Sequence, residues 1–163
     1  MSPPVVAVMG VTGSGKSTIG ALLATALGVP FVDGDDFHDD ASIEKMRRGE
    51  PLDDVDREPW LDRLNAELHR HAPTGVVLAC SALKHSYREH LTRGIDNVRY
   101  VLLTGTPELL RRRIEERTDH FAHGDLLPSQ LATLEEPDDA IVVDVSGSPS
   151  AVAARTLAAL STV

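Results

Sequence analysis

The residues Gly10-Val11-Thr12-Gly13-Ser14-Gly15-Lys16-Ser17 follow the pattern G-x-x-x-x-G-K-[ST], whose residue types suit the cradling of a chain of phosphates. Glycines at 10, 13 and 15 let successive backbone N–H groups turn toward phosphate oxygens, with Val11, Thr12 and Ser14 carried between them. Lys16 would reach the β- and γ-phosphates and Ser17 would ligate Mg²⁺, as in the binding of a nucleotide's phosphates with Mg²⁺. Two carboxylates bracket a glycine at Asp33-Gly34-Asp35. Asp33 suits the outer shell of the metal, through water, because the apolar run ending Ala79-Cys80-Ser81 offers no acid of its own. Asp35 suits acceptance of a proton from an attacking hydroxyl, and His38 can hydrogen-bond a hydroxyl nearby. Three cations could read an anionic acceptor: Arg57, standing among carboxylates, and Lys84 and Arg88, one helical turn apart. Arg113 and Arg117 share a spacing that would let both clamp transferring phosphates or stack on a nucleobase.

These groups need a scaffold that brings distant residues to one edge. Apolar, strand-like runs recur at 5–9, 31–33, 76–80, 100–103 and 141–145, and helical patterns fall between them at 16–27, 41–48, 57–72, 84–93, 107–117, 128–135 and 149–161. That alternation predicts an α/β domain with a parallel sheet covered by helices on both faces. Pro107, Pro149 and Pro59 are read as first-turn residues after Thr106, Ser148 and Glu58. Ligands of such sheets bind beyond the carboxyl ends of the strands, where the 10–17 loop, Asp33-Gly34-Asp35, Ser81-Ala82-Leu83-Lys84, Thr104-Gly105 and Ser146-Gly147-Ser148-Pro149 all fall.

Length and charge narrow the function further. The 163 residues fit one domain, 1–163, with a net charge of −9 that argues against a nucleic-acid surface. The charge is uneven: residues 33–58 carry eleven acidic and four basic side chains, whereas residues 84–117 carry eight basic and five acidic. No long apolar stretch suggests a membrane, and a single cysteine, Cys80, inside the apolar run 76–80, suits a buried thiol in a reducing cytoplasm. Trp60, Leu61, Leu64 and Leu68 share a helical face, so Trp60 is expected in the core.

Several blocks together carry a family likeness: Asp33-Gly34-Asp35-x-x-His38, Gly49-Glu50-Pro51-Leu52-x-Asp54-x-Asp56-Arg57-x-Pro59-Trp60-Leu61, Cys80-Ser81-Ala82-Leu83-Lys84-x-x-Tyr87-Arg88, His120-Phe121 and Leu134-Glu135-x-Pro137. With the phosphate loop, they resemble the small bacterial gluconokinases, relatives of shikimate and adenylate kinases, over nearly the whole chain. The resemblance implies a five-stranded P-loop sheet in the order 2-3-1-4-5, a helical acceptor-binding region near 38–72, a lid near 117–127 and a cytoplasmic, homodimeric enzyme. It implies transfer of phosphate from ATP to D-gluconate; a related kinase acting on shikimate or a nucleoside monophosphate is the alternative. Thr18 and Pro149 join the nucleotide-binding set on this likeness, His120 joins the acceptor set, and Arg117 joins Lys16 and Asp35 as catalytic. A GTP-dependent switch is disfavoured because the chain has no N-K-x-D segment.

Overall fold

The computed structural model describes residues 3–116 and 126–162. Five strands, β1 (Val5–Met9), β2 (Phe31–Asp33), β3 (Val76–Ala79), β4 (Val98–Thr104) and β5 (Ile141–Asp144), form one parallel sheet in the order β2-β3-β1-β4-β5. β1 is central, and all five of its residues are buried, which is why it reads as an unbroken apolar run instead of an alternating one. Its register sets Val8 between Ala79 and Val101. The carboxyl ends of β1, β2 and β3 therefore finish side by side.

Helices cover both faces, as the alternation of patterns predicts. On one face α1 (Lys16–Leu27), α5 (Pro107–Glu115) and α7 (Pro149–Ser161) bring Ile19, Leu23, Leu110 and Val152 against Val6, Val8, Leu103 and Val143. On the other, α3 (Asp54–His71) and α4 (His85–Leu91) bring Trp60, Leu64, Leu68 and Leu91 against Met9, Leu78, Cys80 and Leu102. A small third cluster, Met46, Leu52 and Leu126, ties α2 (Asp40–Arg47) and the chain ahead of α3 to the start of α6 (Leu127–Thr133).

Most helix starts follow local chemistry. Thr106 and Ser148 accept from the N–H groups of Leu109 and Ala151, with Pro107 and Pro149 in the first turn. Glu58-Pro59 is the exception: α3 begins at Asp54, and Pro59 lies inside it. The start is set by a reciprocal cap, in which Asp53 accepts from Asp56 N–H at 2.7 Å and Asp56 accepts from Asp53 N–H at 3.0 Å. The ring of Pro59 removes the helical bond to the carbonyl of Val55, a residue 74% exposed where solvent can serve that oxygen. The earlier start moves Arg57 from the helix mouth into its second turn.

Candidate active site

The phosphate loop runs from the end of β1 into α1. Gly15 takes a left-handed conformation as the residue before α1, and no side chain caps the helix. Its first N–H groups are thus offered to a ligand at the positive end of the helix dipole. Gly13, at φ +85°, has no room for a side chain: a Cβ there would lie 2.7 Å from the carbonyl oxygen of Leu110 and 2.8 Å from Ile114 Cγ1. The loop is seated directly on α5. Lys16 Nζ donates to the carbonyl of Val11 at 3.1 Å, so the ammonium is folded back over the loop it belongs to. The hydroxyls of Thr12 and Ser14 are buried with no hydrogen-bond partner among the described residues, as expected of a surface shaped for oxygen-rich ligands.

Ser17 and Asp33 meet across the gap between α1 and β2, the Ser17 hydroxyl donating to Asp33 Oδ2 at 2.7 Å. A hydroxyl and a carboxylate are hard oxygen donors, which fits Mg²⁺ held by few protein ligands, with phosphates and water completing the shell. Consistent with that light protein ligation, no group of three or more His, Cys, Asp or Glu placed to hold a metal occurs among the described residues. Asp33 Oδ1 also accepts the N–H of Asp35 at 3.0 Å, opening the 3-10 turn Gly34–Phe37. Gly34 lets this turn lie against β3, since a Cβ there would sit 2.7 Å from the carbonyl oxygen of Ala79.

Trp60 fixes the same turn from α3. Its indole N–H donates to the carbonyl of Gly34 at 2.7 Å, and its ring stacks on His38 with centroids 4.2 Å apart. His38 Nε2 lies 3.9 Å from Asp35 Oδ1. Burial holds the His38 imidazole neutral, with its pKa lowered to about 4 against the opposing pull of Asp35. Beneath the turn, burial pushes the Cys80 thiol up to about 12, so it is inert at neutral pH. The charges of Asp35, Lys16 and Arg57 all act on that thiol, so the base candidate, the loop lysine and Arg57 lie around the end of β3.

A cavity of about 560 Å³ has Asp54, Arg57, Lys84, Tyr87 and Gln130 in its walls; Asp35, His38 and the phosphate loop itself do not line it, and Gln130, which accepts the N–H of Thr12, joins it to the loop. Tyr87 is its hub. The phenol donates to Asp54 Oδ1 at 2.5 Å and accepts from Arg57 Nη1 at 3.4 Å. Its ring has the Arg57 guanidinium 5.0 Å and the Lys84 ammonium 5.4 Å from the centroid. Lys84 Nζ also pairs with Asp54 at 3.3 Å. Hydrogen bonds from Tyr87 and then Lys84 hold the Asp54 carboxyl below its usual range, while burial and the bond to Asp54 raise the Tyr87 phenol. Arg57 is only 8% exposed, and no carboxylate among the described residues pairs with it. A buried guanidinium with a single long bond to a phenol has donors left for an anion in the cavity.

Arg88 does not join it. Although one turn from Lys84, its guanidinium points the other way and donates to the carbonyls of Ala82 at 2.7 Å and Glu135 at 2.8 Å. Those bonds hold a loop in which Ala82 takes a positive φ of +47°, so Arg88 serves the geometry that aims Lys84. Arg113 donates to the carbonyl of Gly147 at 3.1 Å, joining the end of α5 to the turn before Pro149. Thr18 is exposed on the first turn of α1. Arg117, His120 and most of the expected lid lie outside the described residues. Sequence reasoning missed the hub role of Tyr87 and the whole contribution of Gln130. Tyr87 stood in a quoted block and could have been found as an aromatic one turn from Lys84; Gln130 carries no signal in the sequence.

A phosphate loop, a carboxylate turn at a neighbouring strand end and a cation-bearing cavity joined to the loop through Gln130 suit a P-loop kinase of small molecules, and the family model for shikimate kinase matches residues 12–160. The chain is 48% identical to the gluconokinase of Gluconobacter oxydans over 151 residues, covering 90% of this chain and 84% of that one. The crystal structure of a gluconokinase from Sinorhizobium meliloti superposes with a TM-score of 0.88 at 40% identity, covering 98% of this chain and 93% of the other. An unliganded sugar kinase from a Janibacter species gives 0.89 at 41%, covering 98% and 95%. The chain belongs to the gluconokinase family.

Proposed function

We propose that the protein transfers the γ-phosphoryl group of ATP to the terminal 6-hydroxyl of D-gluconate, giving ADP and 6-phospho-D-gluconate. The observation that carries this reading is Arg57, a buried guanidinium with no carboxylate partner among the described residues, in the wall of a cavity that Gln130 joins to the phosphate loop. Gluconate matches that cavity chemically, with a carboxylate for Arg57 at one end and a hydroxyl for phosphorylation at the other. Lys84 supplies a further polar contact from the cavity wall, and His38, beside Asp35 and outside that wall, is assigned a hydroxyl near the reacting end. His38 is suited to this as a neutral imidazole, because an imidazolium beside Asp35 would compete for the carboxylate that must receive a proton.

Phosphoryl transfer passes through a loose transition state, so positioning and charge neutralisation do most of the catalytic work. Lys16 and the N–H groups of the loop hold the donor phosphates and offset the charge spreading over the transferred group. Asp35, kept in place by Asp33 and by the Trp60 clamp on Gly34, accepts the proton of the attacking hydroxyl. Mg²⁺, held by Ser17 and through water by Asp33, would neutralise phosphate charge when bound. The enzyme works in the cytoplasm, as the inert lone thiol suits, and as a homodimer, as the family resemblance implies.

The test is coupled ADP release with gluconate, its epimers, shikimate, AMP and neutral glucose. Turnover with gluconate and background rates with shikimate, AMP and glucose are expected. Faster turnover of shikimate or AMP would overturn the assignment, and equal turnover of glucose would overturn carboxylate reading by Arg57.

A further inference from the structure

Gln130 is the one described side chain that both lines the acceptor cavity and hydrogen-bonds the backbone of the phosphate loop. Its Oε1 accepts from the N–H of Thr12 at 2.7 Å, across 118 residues of sequence. A backbone N–H can only donate, so the oxygen end of the amide must face the loop. The amide is planar and carries its two N–H donors on the opposite end, which therefore faces away from Thr12. Those donors make no hydrogen bond to a described residue. The cavity with Arg57, Lys84 and Tyr87 shares this wall.

The arm that carries Gln130 is firmly held. Leu127, at the start of α6, is fully buried in the core beneath the loop, and Leu126 closes the cluster with Met46 and Leu52. At the other end, Glu135 N–H donates to the carbonyl of Leu83 at 2.7 Å, and its carboxylate accepts from His85 N–H at 2.9 Å. The same short segment thus touches the loop that holds the donor and the loop that aims Lys84.

We propose that Gln130 is an acceptor-positioning and specificity residue: its oxygen registers the phosphate loop while its amino group donates to a hydroxyl of the polyol. This rests on the cavity being the acceptor site, as the proposed function has it. Arg57 would then hold the charged end of the acceptor and Gln130 a hydroxyl nearer the loop, a two-point grip that sets which hydroxyl meets the phosphate. A neutral amide suits this position because it donates without adding a charge that would compete with Arg57.

Two variants separate the two ends of the amide. Gln130→Glu keeps an oxygen for Thr12 N–H and loses the donor; Gln130→Met keeps the length and loses both. Loss of one donor to a hydroxyl raises the acceptor KM about five- to tenfold, so both variants should show that rise. The KM for ATP should stay within about twofold in Gln130→Glu, whose loop contact survives, and should rise more in Gln130→Met. A second readout needs no turnover: gluconate should raise the melting temperature of the wild type, and about five- to tenfold more of it should be needed for the same rise in either variant, while the ADP-induced rise persists in Gln130→Glu. Unchanged gluconate KM in either variant would overturn the proposal, because a residue that only braces the loop would leave acceptor affinity alone. If the wild type prefers another acceptor from the panel, the assignment of gluconate fails, and the same two variants measured with that acceptor still decide the role of Gln130.

Discussion

Arg57 makes opposite predictions for activity and for stability, so one residue tests the acceptor site twice. The residue is 8% exposed, and its polar contacts among the described residues are the Tyr87 hydroxyl at 3.4 Å and the Tyr87 ring at 5.0 Å. Arg57→Lys retains the charge but offers one point of contact where the fork offers two. Losing one charge-assisted bond to a carboxylate costs about 1.5–3 kcal/mol, which is a rise of roughly 10- to 150-fold in the KM for gluconate. Turnover should fall as well, because a misplaced carboxylate end leaves the reacting hydroxyl misaligned, whereas the KM for ATP should stay within about twofold. Stability moves the other way in Arg57→Met. Burying a cation without an ionic partner costs several kcal/mol, only part of which the long bond and the ring contact offset. Removing the charge while filling its volume should therefore stabilise the unliganded protein by about 1–2 kcal/mol, a melting temperature roughly 2–6 °C higher. Steady-state ADP release with each substrate varied in turn, beside differential scanning calorimetry of the unliganded proteins, reads both effects. If Arg57→Met melts lower than the wild type and Arg57→Lys keeps the wild-type gluconate KM, Arg57 is a structural residue and the reasoning is wrong.

Other residues yield narrower tests. Asp35→Asn preserves shape but cannot take a proton, so kcat should fall by roughly 10²- to 10⁴-fold with ADP affinity retained by calorimetry; a tenfold loss of ADP affinity with near-normal turnover would instead make it a metal-site residue. His38 has a folded pKa of about 4, below its unfolded value of 6.5, so the unfolded chain binds the extra proton in that window. Stability is therefore complete above about pH 6.5 and declines as pH falls toward 4, by up to about 3 kcal/mol from this group. Urea unfolding of His38→Gln should show a flatter slope across that window, and parallel slopes for both proteins would remove His38 as the cause. Arg88→Met leaves two carbonyls without donors beside a positive-φ alanine and should lower stability by about 2–4 kcal/mol, whereas Lys84→Met, which breaks a solvent-screened pair, should leave the melting temperature nearly unchanged. Equal melting temperatures for the two variants would contradict that division of labour.

The scaffold was legible because its signals are local and repeated. Buried parallel strands read as apolar runs, and β1 through β5 fall where those runs lie. The phosphate loop was legible for a similar reason, since eight adjacent residues carry it. Local rules misled where two of them competed. Pro59 looks like a first-turn proline, but the reciprocal Asp53–Asp56 cap, which begins four residues before Arg57, sets the start of α3. Lys84 and Arg88 looked like a pair on one helical face, yet Lys84 precedes α4 and turns to the cavity while Arg88 turns to the Ala82 loop. Gln130 was not legible, because its meaning lies in a contact with a residue 118 positions away.

An enzyme of net charge −9 that binds a nucleotide triphosphate and a sugar acid must make its attraction local. The carboxylates of the 33–58 region are largely occupied: Asp39 and Asp53 cap helices, Asp56 pairs with Lys45 at 2.7 Å, Asp33 takes Ser17 and Asp54 takes Tyr87 and Lys84. Each of these contacts spends negative charge on structure or on the cations that flank the site. Arg57 and Arg88 are both buried without a carboxylate partner among the described residues, but Arg88 is taken by two carbonyls, whereas Tyr87 holds Arg57 without neutralising it. A phenol is suited to that task, since it can accept from a guanidinium and donate to Asp54 while adding no charge. Had a carboxylate stood at position 87, the guanidinium would be satisfied within the protein and an incoming carboxylate would have to displace it. On the proposed function, the cavity would draw an anion because its most buried cation is anchored by a neutral oxygen.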